Sequence, residues 1–108
     1  MRKTFDAELL ELSRELTAMA GTAQDAIDLV TSSLSQGGEE SAKSAVELTE
    51  SMDQMERDIE NRCMSLLMRQ QPVARDLRTI SAALKMVTDL QRIGDQAANI
   101  AEISLLLS

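Results

Sequence analysis

The side chains best suited to ligand chemistry are carboxylates and amides in the C-terminal third of the sequence. At about 100° per residue in a helix, Gln91, Asp95 and Glu102 lie within roughly 40° of one another, and Asn99 lies about 40° further round. Their oxygen atoms are the ligands that hard cations prefer. Carboxylates on a packing face are costly unless they are paired or liganded. The spacing therefore indicates either a cation site or the solvated edge of a packing face.

A second set of acids precedes Pro72, which marks a short turn between two helices. In an antiparallel pair joined there, facing positions have numbers that sum to about 144, so Gln91 stands level with Asp53 and Asp95 with Glu50. This register predicts an oxygen-rich patch made of Glu47, Glu50, Asp53, Asp95 and Glu102. The alternative is a solvated face with ordinary pairing between acids and bases four residues apart, which periodicity alone favours.

Three apolar stripes of helical period divide the chain. The first stops at Gly37 and Gly38, the second at Pro72, and the third continues almost to the C-terminal residue. They predict helices at about residues 4–35, 39–70 and 73–107. Because short turns join antiparallel neighbours, residues 1–108 are expected to form a single domain, an antiparallel three-helix bundle.

The composition supports an all-α fold. Hydrophobic residues make up 44% of the chain, and Phe5 is its only aromatic residue, so Leu, Ile, Val, Ala and Met must build the core. No stretch alternates polar and apolar residues with the period of two that strands require. We therefore assign no sheet.

Several function classes are excluded by what the sequence lacks. It has no histidine, which removes Ser-His-Asp and Cys-His catalysis and the Glu-x-x-His motifs of di-iron bundles. A net charge of −7 without a basic stripe argues against nucleic-acid binding. No window approaches about 18 uncharged apolar residues and no export signal is evident, so a cytoplasmic, non-membrane location is expected. The single cysteine, Cys63, is expected to be a buried structural thiol.

The third helix carries a wider apolar surface than a three-helix bundle needs. One stripe consists of Ile80, Leu84, Val87, Ala98 and Leu105, and a neighbouring stripe consists of Ala83, Met86, Leu90, Ala97 and Ile100. The second stripe indicates burial against something outside the chain, or else a thick intramolecular core. Four arginines gather around the turn at Pro72: Arg62, Arg69, Arg75 and Arg78. Those in the last turn of the second helix are expected to complement its dipole and stay solvated, and the alternative is an anion or partner site.

Three segments resemble the PhoU family of phosphate-uptake regulators. Residues 70–78 read QQPVARDLR, residues 89–95 read DLQRIGD, and residues 99–102 read NIAE, close to the family patterns and at the same interval. Residues 52–60 and the pair Phe5 and Asp6 are also similar to the family. The resemblance covers essentially the whole chain.

The resemblance implies a regulator rather than an enzyme. PhoU proteins are all-α, have two similar three-helix bundles, and link a phosphate ABC transporter to a sensor histidine kinase. Some carry iron or zinc on acidic motifs of the form E(D)xxxD, which here fall on Gln91 and Asp95. The implied metal site comprises Asp95, Gln91, Asp53, Glu50, Glu102 and Asn99.

Two departures from the family pattern matter. Gln91 stands where the family usually has Glu, and an amide oxygen is the weaker ligand. The chain also contains one repeat where the family usually has two, which suggests that two copies pair as a homodimer. The expected contacts are Leu90, Ile93, Ala97 and Ile100, with Gly94 permitting close approach. The alternative to a signalling adaptor is a structural dimerisation bundle without ligand.

Overall fold

The computed structural model describes residues 2–69 and 72–107 as three long helices. They are α1 (Arg2–Gln36), α2 (Glu39–Leu67) and α3 (Ala74–Leu107), each packed against the other two in a rod of 55 × 18 × 17 Å. Within those residues there is no strand, so the predicted all-α bundle is confirmed. None of these helices is both long and apolar enough to cross a membrane.

The first turn lies where the two glycines predict it. Gly37 has a φ of 71°, in the left-handed region that side chains with a Cβ rarely adopt, and its N–H donates to the carbonyl of Ser33 at 2.8 Å. Gly38 is extended and begins α2, whose first turn carries Glu39 and Glu40 near the positive end of the helix dipole. This turn reverses the chain within two residues.

The second helix ends three residues earlier than its predicted limit at residue 70. Met68 caps it by donating to the carbonyl of Met64 at 3.1 Å, and the N–H of Arg69 donates to Leu66 at 3.2 Å. Both bonds satisfy carbonyls that a helix end leaves without partners. The predicted residues 70 and 71 lie outside the described residues.

Asp76 fixes the start of α3 and attaches it to α1. Its Oδ2 accepts the N–H of Val73 at 3.0 Å, as in a capping box, and its two oxygens accept Nη1 and Nη2 of Arg2 at 2.7 and 2.8 Å. Asp76 is only 2% exposed. The hydrogen bonds from Arg2, followed by that from Val73, lower the pKa of Asp76 from 3.8 to about 2 against the opposing effect of burial.

The core divides into two clusters along the rod. The large-residue cluster lies toward the α2–α3 turn and comprises Phe5, Leu12, Met19, Ala23, Met52, Ile59, Cys63, Leu66, Ile80, Ala83 and Val87. The alanine cluster lies toward the α1–α2 turn and comprises Ala26, Val30, Ala42, Ala45, Ala97 and Ala101. The apolar stripe that the sequence predicts for α2 is Ala45, Leu48, Met52, Met55, Ile59, Cys63 and Leu66. All of these are completely buried except Leu48 and Met55, which are partly buried against the two clusters. Small side chains let helices approach closely, so the two ends of the rod are packed differently.

Candidate functional site

The predicted acidic site brings α2 and α3 together as the register requires. Nε2 of Gln91 donates to Oδ1 of Asp53 at 2.8 Å and to Oδ1 of Asp95 at 3.2 Å. Asp53 is on α2, whereas Asp95 is one turn beyond Gln91 on α3. The two carboxylates therefore lie on the same side of the molecule and share one amide group. We call these three residues the Asp53–Gln91–Asp95 bridge.

Glu56 adds negative charge beside this bridge, and sequence reasoning missed it. Burial raises the pKa of Glu56, with further increases from the charges of Glu60, Asp53 and Asp95. The signal was present in the spacing, because Glu56 lies three residues after Asp53 and four before Glu60, on one helix face. The surroundings of the bridge are thus more acidic than the predicted patch suggests.

The other predicted ligands do not join the bridge. Glu47, Glu50, Asn99 and Glu102 are exposed, and no described hydrogen bond or ion pair connects them to Asp53, Gln91 or Asp95. Thr49, level with Asp95 in the predicted register, is buried and donates to the carbonyl of Val46 at 2.8 Å. The site is therefore smaller than the implied ligand set.

The residues as arranged do not suit the resident metal that the resemblance implies. Among residues 2–69 and 72–107, no group of three or more Cys, Asp or Glu side chains is placed to hold a metal ion. The nitrogen end of the Gln91 amide, which is a donor and not a ligand, faces the two carboxylates. Binding of iron or zinc remains a prediction of the resemblance.

A second candidate surface is the groove between α1 and α3. On each helix it is lined by residues seven positions apart, which is the spacing of a helix-packing stripe. These residues are Ala20, Ile27 and Leu34 on α1, and Met86, Ile93 and Ile100 on α3. The five large ones are between 40% and 57% exposed. We call this surface the α1–α3 groove, and an apolar row of this kind is typical of a contact surface.

The predicted dimer contacts divide between the groove and the core. Ile93 and Ile100 line the groove and are 41% and 42% exposed. Ala97 and Leu90 also border the groove, but Ala97 is buried in the alanine cluster and Leu90 packs against the large-residue cluster. One part of the wide apolar surface of α3 therefore completes the intramolecular core, and the other part is exposed.

Gly94 permits a close approach, but within the chain. A Cβ built on Gly94 would lie 2.8 Å from Sδ of Met52, a fully buried residue of α2. A contact that short requires a shift of one helix or of the methionine. Gly94 thus brings α3 close to α2 beside the Asp53–Gln91–Asp95 bridge.

The expectation that the arginines near the second turn stay solvated is wrong for Arg62, whose side chain is 29% exposed, whereas Arg69 also pairs with an acid but remains exposed. Nε of Arg62 donates to Glu15 at 2.5 Å, and Nη2 of Arg69 donates to Glu8 at 2.8 Å. The first pair joins α2 to α1, and the second joins α1 to a residue just beyond the end of α2. The numbers in each pair sum to 77, whereas counting outward from the turn at Gly37 and Gly38 gives about 75, so that count comes within two residues of both pairs. Arg75 and Arg78 are exposed.

Cys63 is buried, as predicted. It is free, fully enclosed in the large-residue cluster, and its thiol has a pKa raised by burial and then by the charges of Glu15 and Glu60. A raised pKa reduces the reactive thiolate form. The cysteine therefore serves the core.

These features define a class of protein, an all-α bundle whose candidate sites are helix faces. The family model of the PhoU domain matches residues 16–104. The chain belongs to the PhoU family.

Curated relatives carry the name phosphate-specific transport system accessory protein PhoU homolog. The chain is 41% identical to that of Aquifex aeolicus over 101 residues, 39% to that of Pseudomonas putida over 103 residues, and 39% to that of Clostridium acetobutylicum over 102 residues. These alignments cover 94%, 95% and 94% of this chain but 46%, 40% and 47% of the relatives. The chain thus spans about half the length of these relatives. No solved structure matches it.

Proposed function

We propose that this chain is a non-enzymatic accessory of a phosphate transport system, which links a phosphate ABC transporter to a sensor histidine kinase by docking. The observation that carries the proposal is the extent of the likeness, because each of the three relatives named above aligns with nearly all of this chain. The docking part of the proposal draws support from the exposed helix faces. The same proposal places the chain in the cytoplasm, where the kinase and the inner face of the transporter are accessible.

The α1–α3 groove is the surface that we propose for docking. Its apolar side chains come from two helices and are too exposed to contribute fully to the intramolecular core. Exposed apolar rows on soluble bundles gain free energy when a partner excludes water from them. Substitution of a groove residue by an acid should therefore weaken docking while leaving the core intact.

Co-purification of the tagged protein with the phosphate transporter and the sensor kinase tests the proposal. The wild type and Met64→Glu should retain both partners, whereas Ile93→Glu should lose them. Met64 is a matched control, because it is a 54% exposed apolar residue on α2, outside the groove. If the wild type retains neither the transporter nor the kinase, the adaptor role is contradicted. Equal loss in the two variants would contradict the choice of surface.

A second candidate function is the structural one, in which two copies pair through the same groove. The observation that favours it is the seven-residue repeat on both α1 and α3, a pattern that suits packing against further parallel or antiparallel helices. A pair of copies would also place six helices together, as in a two-repeat molecule.

Sedimentation equilibrium separates the structural candidate from the adaptor. If two copies pair through the groove, the wild type and Met64→Glu should have the mass of a dimer and Ile93→Glu that of a monomer. A monomeric wild type at every concentration would exclude the dimer. A dimer that retains neither transporter nor kinase would favour the purely structural bundle.

A further inference from the structure

Both N–H groups of the Gln91 amide are used by its two acidic neighbours. An amide nitrogen carries two N–H groups, and those of Gln91 have acceptors at 2.8 Å on Asp53 and 3.2 Å on Asp95. The first bond crosses from α3 to α2, and the second spans one turn of α3. One neutral side chain therefore holds together two like charges from two helices.

The orientation of this amide is set by the acids. Turned by 180°, it would direct Oε1 at both carboxylates, and three oxygens would then need a cation between them. In the structure Oε1 is buried and has no hydrogen-bond partner among the described residues, which costs free energy. The amide nevertheless presents its N–H groups to the acids, so the two charge-assisted hydrogen bonds outweigh that cost.

We propose that the amide of Gln91 takes the place of a cation, so that the junction of α2 and α3 is complete without a metal. The partial positive charge of its N–H groups offsets the repulsion between Asp53 and Asp95. Gly94 lies close to Met52 next along the same junction, so the two helices are also near each other there. This inference is independent of the proposed function, because it concerns the internal junction and not a docking partner.

The inference predicts that a single substitution converts the bridge into a metal-dependent site. In Gln91→Glu, the donors are replaced by a third carboxylate in surroundings that Glu56 and Glu60 already make negative. Without metal, the three charges repel one another across α2 and α3. With Zn²⁺, they become an oxygen ligand set.

Thermal unfolding in chelator and in added Zn²⁺ tests the inference. The Tm of the wild type should be the same in both, whereas that of Gln91→Glu should fall by about 4–8 °C in chelator and recover in Zn²⁺. Gln24→Glu is the matched control. Gln24 donates to Asp28 at 3.0 Å, four residues along α1, with no acid from a second helix. Its Tm should stay near that of the wild type and be indifferent to Zn²⁺.

Several outcomes would overturn the inference. For the wild type, they are stoichiometric metal in protein purified without chelator, or a Tm that rises in Zn²⁺. For Gln91→Glu, they are a Tm equal to that of the wild type in chelator, or a Tm that Zn²⁺ does not raise. If Gln91→Glu stays unfolded in both solutions, Gln91→Met supplies the test, since it removes the donors without adding a charge. That variant should melt below the wild type to the same extent in chelator and in Zn²⁺, and a Tm equal to the wild type would refute the bridge.

Discussion

The two ends of the rod are held together by different interactions. The large-residue cluster fills one end with fully buried leucine, methionine and isoleucine. Around it two ion pairs join helices, and a third joins α1 to Arg69, just beyond α2. The alanine cluster fills the other end with small side chains, and a 2.6 Å hydrogen bond between Ser33 and Ser104 links α1 to α3 there. The first end derives its stability from burial within the chain.

The comparison shows where apolar surface remains available. At the alanine end Ile103, Leu106 and Leu107 are 55%, 84% and 79% exposed, and at the other end Leu10, Met68 and Val73 are 52%, 82% and 50% exposed. Alanine buries little area, so it contributes less hydrophobic free energy per residue than leucine. Both ends therefore leave apolar surface that a partner can cover, and they differ in how much hydrophobic free energy their own cores contribute.

The largest expected effect is the loss of a side chain from the large-residue cluster. Leu12→Ala should lower the free energy of unfolding by about 3 kcal/mol, because the removed side chain is 1% exposed and leaves a cavity. Val30→Ala in the alanine cluster should cost about 1.5 kcal/mol, since fewer buried carbons are removed. Urea denaturation measures both, and equal losses would break the distinction between the two ends.

The next effect concerns the ion pair of Arg2 and Asp76 at the large-residue end. The folded state holds the pKa of Asp76 at about 2, below its ordinary value of 3.8, so the unfolded state binds the proton first as pH falls. This contribution to stability is present in full above about pH 4 and is lost between about pH 4 and 2. Asp76→Asn should therefore melt below the wild type at neutral pH, and the difference should shrink through that range.

Thermal melts as a function of pH measure this difference. Asp6→Asn is the control, because Asp6 also pairs with Arg2, at 3.2 Å, but its side chain is 57% exposed. A pair so exposed contributes little to stability. A difference between Asp76→Asn and the wild type that stayed constant down to pH 2 would show that the charge of Asp76 is not what stabilises the end.

The smallest effect comes from two glycines within helices. Gly94→Ala should lower the free energy of unfolding by about 1–2 kcal/mol, because the new Cβ would meet the buried Met52 and the gain in helix propensity offsets only part of that clash. Gly21→Ala should raise it by about 0.5–1 kcal/mol, since nothing lies within 4 Å of the new Cβ. Urea denaturation measures both changes in the free energy of unfolding. Changes of opposite sign would support close packing at Gly94, whereas changes of the same sign would contradict it.

Much of the fold followed from local patterns. The glycine pair and Pro72 located the turns, and the apolar stripes located the three helices, because helical period and backbone freedom act over a few residues. The register of α2 against α3 also followed, since a short turn fixes which residues stand level. For this reason the sequence predicts that Asp53 and Gln91 stand level, and in the structure Nε2 of Gln91 lies 2.8 Å from Oδ1 of Asp53. The same counting from the first turn, where facing numbers sum to about 75, comes within two residues of the pair of Glu15 and Arg62.

The sequence by itself determined the number of helices, their order and the level at which each side chain lies along the rod. Only the tertiary structure decided which part of the wide apolar surface of α3 completes the core, which end of the Gln91 amide faces the acids, and that Gly94 lies close to Met52. The physical reason is the range of the interactions. Helix period and turns depend on neighbours in the chain, whereas the rotation of each helix and the direction of each polar group depend on packing against residues far away in sequence.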